Sequence, residues 1–274
     1  MSMTPEGSTA VEDPERPADR RQKWMDHLVI VRHGESHRNV RRQAAHAAGH
    51  PEYGGDVRDV DTPLTRRGER QAEATGRFLS RQFRFDRIFV SPYLRTVETA
   101  RLIMKQFADP VAPTYEERIR EKEFGILDGL THQGIAKKYP DELKRRQHEG
   151  KYYYRPPGGE SYPDVALRLH SFLGTLARDC PKQSVLVVCH SVVVLTFRRL
   201  LERLTEQELL AIDRDPEHDV CNCSVTRYQF DPGAGKVGRL VLREFNGVHY
   251  TAELASTEEC KRKAANPSAV SLGP

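Results

Sequence analysis

No stretch of this sequence approaches the roughly 18 consecutive apolar residues of a membrane helix, so no membrane span is expected. There is no basic tail or stripe either. The 43 Lys and Arg against 39 Asp and Glu leave a net charge of +4, spread along 274 residues. That distribution argues against generic nucleic-acid binding; a few arginines gathered around a small anion give the same bias. Cysteines are few, at five, and odd in number. Cys221-Asn222-Cys223 has no second pair or histidine cluster to complete a zinc site. Cys180, Cys189, Cys221, Cys223 and Cys260 are therefore all read as reduced thiols in a reducing compartment. The N-terminal MSMTPEGSTAVEDPERPADRRQKW lacks the apolar core of a secretory signal, which makes a cytoplasmic location the default.

What is present suits one large α/β domain or two small ones. Hydrophobic residues make up 38% of the chain, enough for a sizeable core. Residues 1–25 have too few apolar groups to offset ordering entropy and read as a disordered leader. The tail 256–274 reads as flexible, and the span 26–255 as a single domain. His27–Arg32 (HLVIVR) and Ser184–Cys189 (SVLVVC) are short continuous apolar runs, the pattern of strands buried on both faces. Residues 41–63, rich in Gly, Pro and Asp, read as a long loop. Helices are expected at Glu69–Gln82, Arg95–Phe107, Tyr162–Arg178 and Val192–Leu204. Further strands are expected at Asp86–Val90, near Tyr115–Ile119, at Val225–Phe230 and at Leu240–Glu244. Residues 121–160 look like an insertion with one or two short helices. The alternation predicts a three-layer α/β sandwich, its mostly parallel central sheet flanked by helices on both faces.

Four segments carry chemistry. RHGESHRN (Arg32–Asn39) follows the first strand, where ligands bind in open α/β sheets. Arg32 offers a planar fork matched to phosphate oxygens, and Gly34 permits close backbone approach. Ser36 and Asn39 add neutral donors, and the His33 imidazole is free to face a substrate. In VVCHS (Val187–Ser191) another buried strand ends in a histidine, His190. A helix begins at once, so its first free N–H groups point at the same place. SPYLRTVETA (Ser91–Ala100) puts Arg95 in the first turn of a helix above that sheet edge. RIREKEFG (Arg118–Gly125) supplies a carboxylic acid, Glu121 or Glu123. Singly, each admits a bland reading: a packed histidine, a surface arginine, a solvated charge run. Together they outline phosphoryl transfer. A neutral imidazole attacks phosphorus, two arginines and a second histidine hold the equatorial oxygens, and a carboxylic acid protonates the leaving alkoxide.

These motifs resemble the histidine phosphatase superfamily, the phosphoglycerate-mutase-like fold, over roughly His27 to Phe245. RHGES, PLTRRGERQA, SPYLRTVETA, GGESYPDVALR and NCSVTRY look like five of its motifs in order. The resemblance implies His33 as nucleophile, with Arg32, Arg95 and His190 forming the phosphate pocket. It selects Glu121 as the acid, four residues before Gly125. Asn39 then contacts a phosphoryl oxygen, and the Ser191 backbone borders the pocket. KYYYRPPGGESYPDV resembles the bisphosphatase domain of the bifunctional fructose-2,6-bisphosphate enzyme. That branch has a glutamine and an arginine where this chain has Ser191 and Leu195. RIREKEFG and YYYRPPGGES also resemble a group of fungal, plant and actinobacterial phosphatases, and Tyr139 and Arg155 are candidates for the substrate's second end. A metal-independent phosphomonoesterase without cofactor is favoured. A 2,3-bisphosphoglycerate-dependent mutase is the first alternative, although no close match to the mutase lid segment is present. A sugar-bisphosphate phosphatase and a non-catalytic phosphate-binding module are the others. The expected partner is a small phosphorylated metabolite, not nucleic acid; a homodimer stays open.

Overall fold

The computed structural model describes residues 22–55, 57–215 and 219–265. Its six-stranded sheet comprises β1 (His27–Arg32), β2 (Arg87–Val90), β3 (Thr114–Tyr115), β4 (Ser184–Cys189), β5 (Val225–Asp231) and β6 (Arg239–Gly247), in the order β3-β2-β4-β1-β5-β6. The β3–β2, β2–β4 and β4–β1 pairs are parallel; β5 runs antiparallel to both β1 and β6. The two apolar runs thus form the sheet's middle, where both faces are covered. Their side chains alternate with period two. Leu28, Ile30, Val185, Val187 and Cys189 enter one core layer. Val29, Val31, Leu186 and Val188 enter the other. Helices α6 (Tyr162–Asp179), α7 (Ser191–Glu202) and α8 (Glu206–Arg214) cover the first layer. Helices α2 (Arg66–Gln82), α3 (Leu94–Met104) and α9 (Glu258–Ala265) cover the second. The expected three-layer α/β architecture is the one observed.

Local readings differ in three places, and the insertion carries two helices as expected. The 41–63 span is not all loop, because α1 (His37–Ala48) occupies its first part. Ser36 caps it through a capping box with Asn39, and four alanines near its end favour helix over the loop signal of the downstream glycines. The strand expected near Tyr115–Ile119 shrinks to β3, followed by a 3-10 turn at Glu117–Ile119. The insertion holds α4 (His132–Lys138) and α5 (Pro140–Tyr153), the latter kinked at Gly150, where φ is 79°. Met25 is fully buried and Trp24 packs on the core, so the folded chain begins before residue 26. The rest of the expected leader, 1–21, lies outside the described residues. Among those residues, no helix is long and apolar enough to cross a membrane.

The cysteine reading needs correction. Cys221 and Cys260 form a disulfide across a sequence separation of 39; Cys180, Cys189 and Cys223 are free and buried. The reducing-compartment reading rested on five free thiols and loses that support. The bridge also overturns the flexible tail for 258–265, since it fastens α9 to the loop before β5. Residues 266–274 lie outside the described residues. Closing a loop of this length restricts the unfolded chain. Cys260→Ser is expected to lower the unfolding free energy by about 2–4 kcal/mol in denaturant titration, and an unchanged midpoint would remove the bridge from the stability argument.

Candidate active site

The β1–β4 register pairs Arg32 with Cys189, so His33 and His190 leave the sheet side by side. The ladder continues one step further, His33 N donating to Cys189 O at 2.9 Å. The two rings stand 5.2 Å apart, edge to face, and both residues are buried. Residues 157 positions apart in sequence thus share one site because two parallel strands end level.

Hydrogen bonding sets the tautomer of each ring. His33 Nδ1 lies 2.7 Å from Gly34 O. A carbonyl only accepts, so Nδ1 carries the proton and Nε2 keeps its lone pair. His190 Nε2 lies 2.8 Å from Ser91 Oγ, while its Nδ1 is buried without a partner. With the Ser91 hydroxyl donating, His190 presents an unused Nδ1–H. Burial, then Arg95 and Arg32, hold the His33 pKa well below the usual imidazole value. Burial, Arg95 and His33 do the same to His190. Both rings are neutral at physiological pH.

Arg32 donates through Nη1 to Val220 O, and its Nε is buried and unpartnered. The two buried orphan donors, Arg32 Nε and His190 Nδ1, belong to residues flanking the same strand ends. Buried donors are rarely left unpaired, and an anion would satisfy both. Arg95 stacks on Tyr93, 4.8 Å from its ring centroid, and that ring lies 5.1 Å from the His190 ring. Both terminal nitrogens of Arg95 are held by Asp59.

Glu121 is half-buried and accepts the Lys122 amide at 2.9 Å. Desolvation raises its carboxyl pKa against the pull of that amide, Arg95 and Arg32. Glu123, the other acid considered, accepts the amides of Phe124 and Gly125 in its own turn. Beside Glu121, Lys122 is buried, and desolvation brings its amine down to about 8.

Ser36 and Asn39 are occupied with each other. Asn39 Oδ1 accepts from Ser36 N at 3.0 Å and Ser36 Oγ at 2.9 Å, leaving its Nδ2 as the available donor. Ser191 opens α7 directly after His190, and no side chain caps that helix start. The structure does not bring Arg155 to the site. Its side chain is 62% exposed and forks onto Asp164 at the start of α6. Tyr139 joins α4 to α5 and packs in a satellite cluster with Leu127, Ile135 and Tyr154. Leu195 is a buried core residue of α7.

Sequence reasoning missed several groups. Asn222 Nδ2 donates to His33 O at 3.0 Å, and Cys223 N donates to the carbonyls of Arg32 and His33. Thr99 Oγ1 accepts the Gly34 amide at 3.0 Å. Ser91 and Thr99 lie within quoted motifs, but their roles depend on contacts across the sheet. Gly34 is also packed tightly against Gly68. A Cβ there would lie 2.6 Å from Gly68 O, and one on Gly68 would lie 2.1 Å from Glu35 O. The close approach is between the loop after β1 and the start of α2. Gly68→Ala is expected to cost about 1–3 kcal/mol or more, because rigid backbone must move. Thermal melts would read it, and a wild-type melting temperature would contradict the packing argument.

Among the described residues, no group of three or more His, Cys, Asp or Glu side chains is arranged to hold a metal ion.

The profile of the histidine phosphatase superfamily (branch 1) matches residues 28–242. The chain is 32% identical over 195 residues to a 2,3-bisphosphoglycerate-dependent phosphoglycerate mutase of Rhizobium etli, covering 69% of this chain and 86% of that protein. A 6-phosphofructo-2-kinase/fructose-2,6-bisphosphatase of Gallus gallus is 29% identical over 204 residues, covering 73% of this chain and 38% of that protein. Among solved structures, Bacillus stearothermophilus YhfR is similar with a TM-score of 0.60 at 26% identity, covering 79% of this chain and 96% of that one. The structure described as mycobacterial hydrolase 1 is similar with a TM-score of 0.63 at 25% identity, covering 81% of this chain and 99% of that one.

Proposed function

Because the chain belongs to the histidine phosphatase superfamily (branch 1), we propose that it hydrolyses phosphomonoesters through a covalent phosphohistidine on His33. The observation that carries this is the pair of imidazoles 5.2 Å apart, one with a free Nε2 lone pair and the other with an unused Nδ1–H, beside the orphan Arg32 Nε.

Nε2 of His33 attacks phosphorus as the ester P–O bond breaks, and Glu121 protonates the departing alkoxide. The charge spread over the equatorial oxygens meets Arg32, Arg95, His190 Nδ1–H and Asn39 Nδ2. In the second half, ionised Glu121 takes a proton from water. The water oxygen bonds phosphorus, the N–P bond breaks, and phosphate leaves. The substrate class is a small phosphorylated metabolite. The sugar-bisphosphate reading is weakened where Leu195 lies in the core and Arg155 turns to Asp164.

A screen of phosphorylated metabolites against wild type and His33→Ala tests the proposal, with inorganic phosphate as readout. Turnover lost in the variant is the expected result. Equal release from both proteins would overturn it. The Rhizobium etli relative, named a mutase, favours a second reading, phosphoglycerate interconversion. An isomerised product with little phosphate released would select that reading.

A further inference from the structure

Arg95 is the proposed phosphoryl ligand whose two terminal nitrogens already bond a carboxylate residue. Its Nη1 donates to Asp59 O at 2.7 Å and Asp59 Oδ1 at 3.0 Å, and its Nη2 to Asp59 Oδ2 at 3.1 Å. A second guanidinium joins: Arg38 Nε lies 2.9 Å from Asp59 Oδ1, while its Nη2 holds Asp128. The Arg95 and Arg38 side chains are only 4% and 13% exposed, so this is no loose surface pair. Asp59 begins the short 3-10 turn Asp59–Asp61.

A carboxylate and a phosphoryl face fit a guanidinium fork in the same bidentate way. Arg95 also acts electrostatically on His33, His190 and Glu121, which places its charge at the reaction centre. A phosphoryl group held by both terminal nitrogens of Arg95 has to take the place of the Asp59 carboxylate. While Asp59 stays, its negative charge also opposes an arriving dianion. Nothing in the sequence motifs marks Arg38, which lies between the motif positions Ser36 and Asn39.

We propose that Asp59 is a built-in anion occupying the phosphoryl subsite of the free enzyme, and that Arg38 and Arg95 together receive the phosphoryl group once the 59–61 turn withdraws. This rests on the reading of Arg95 as a phosphoryl ligand. Its consequence is that substrates and anionic inhibitors bind against an internal competitor. Asp59 therefore sets the affinity for the phosphoryl group without touching the leaving group.

The test is calorimetric titration of the full chain with inorganic phosphate and with orthovanadate, for wild type, Asp59→Asn, Asp59→Ala and the double variant Asp59→Ala/Arg38→Gln. Removing the competing charge is expected to tighten binding of both anions about tenfold or more, because the buried fork is freed for them. Adding Arg38→Gln is expected to reverse about fivefold or more of that gain, the loss of a charge-assisted contact. Unchanged or weaker binding in Asp59→Asn would overturn the proposal and leave Asp59 as a residue that orients Arg95. So would failure of both wild type and Asp59→Asn to bind either anion. If Asp59→Ala does not fold, leaving Arg95 buried and unpaired, the nearly isosteric Asp59→Asn carries the test. Phosphohistidine formation is read separately from binding. Tighter anion binding without label on His33 would uphold the Asp59 inference while sinking the proposed hydrolysis.

Discussion

His33→Ala is expected to cut phosphomonoester hydrolysis by about 10⁴-fold or more, roughly 5 kcal/mol of transition-state stabilisation. It is also expected to abolish acid-labile label from a ³²P-phosphoester. The size follows from the site's construction. His190 packs its imidazole against that of His33, but its Nε2 is engaged by Ser91 Oγ and, with that hydroxyl donating, its Nδ1 carries the proton. It presents a donor to phosphorus, not a lone pair, and cannot replace His33. The remaining cations polarise a phosphoryl group without supplying a nucleophile. Single-turnover quench with wild type should show alcohol released in a burst ahead of phosphate when dephosphorylation is slow. Label that persists on the alanine variant would end the phosphohistidine scheme.

Glu121→Gln should discriminate between leaving groups. An alkoxide needs the proton, so alkyl phosphates are expected to lose about 10²–10³-fold in kcat/KM, whereas p-nitrophenyl phosphate, with a stable leaving group, is expected to lose much less. The pH profile gives a second readout. The proposed mechanism needs neutral His33 and protonated Glu121. The His33 pKa is depressed, by burial, Arg95 and Arg32, so the acid limb rises through a value below the ordinary 6.5 of imidazole. The Glu121 pKa is raised, by desolvation, so the basic limb falls through a value above the ordinary 4.5 of a glutamic acid. The two shifts, one downward and one upward, raise the fraction of enzyme in which both required forms coexist. Glu121→Gln is expected to flatten the basic limb and leave the acid limb in place. Equal losses on both substrates, or an unchanged basic limb, would assign the proton to another group.

The legible parts of this protein were those written in contiguous residues. β1 and β4 are apolar between their ends because strands covered on both faces have no polar side to alternate with. α6 shows its buried stripe of Val165, Leu169, Phe172, Leu173 and Leu176 directly. By contrast, α1 was hidden because its alanines adjoin a Gly- and Asp-rich segment, and composition averages the two. α9 was hidden because it is short and polar, and a distant disulfide partner fastens it. β3 has only two residues, too few for any period.

The sequence alone determined that two histidines and two arginines stand at strand or helix ends, where an α/β sheet gathers its ligands. Residue type and local periodicity suffice for that. Only the tertiary structure decided which nitrogens are left free, that Asp59 sits on Arg95, that Arg155 turns outward, and that Cys221 finds Cys260. The reason is distance along the chain. Arg32 finds its carbonyl 188 residues away and His190 its serine 99 residues away. Pairings across such separations are set by strand register and helix packing, which no local pattern encodes.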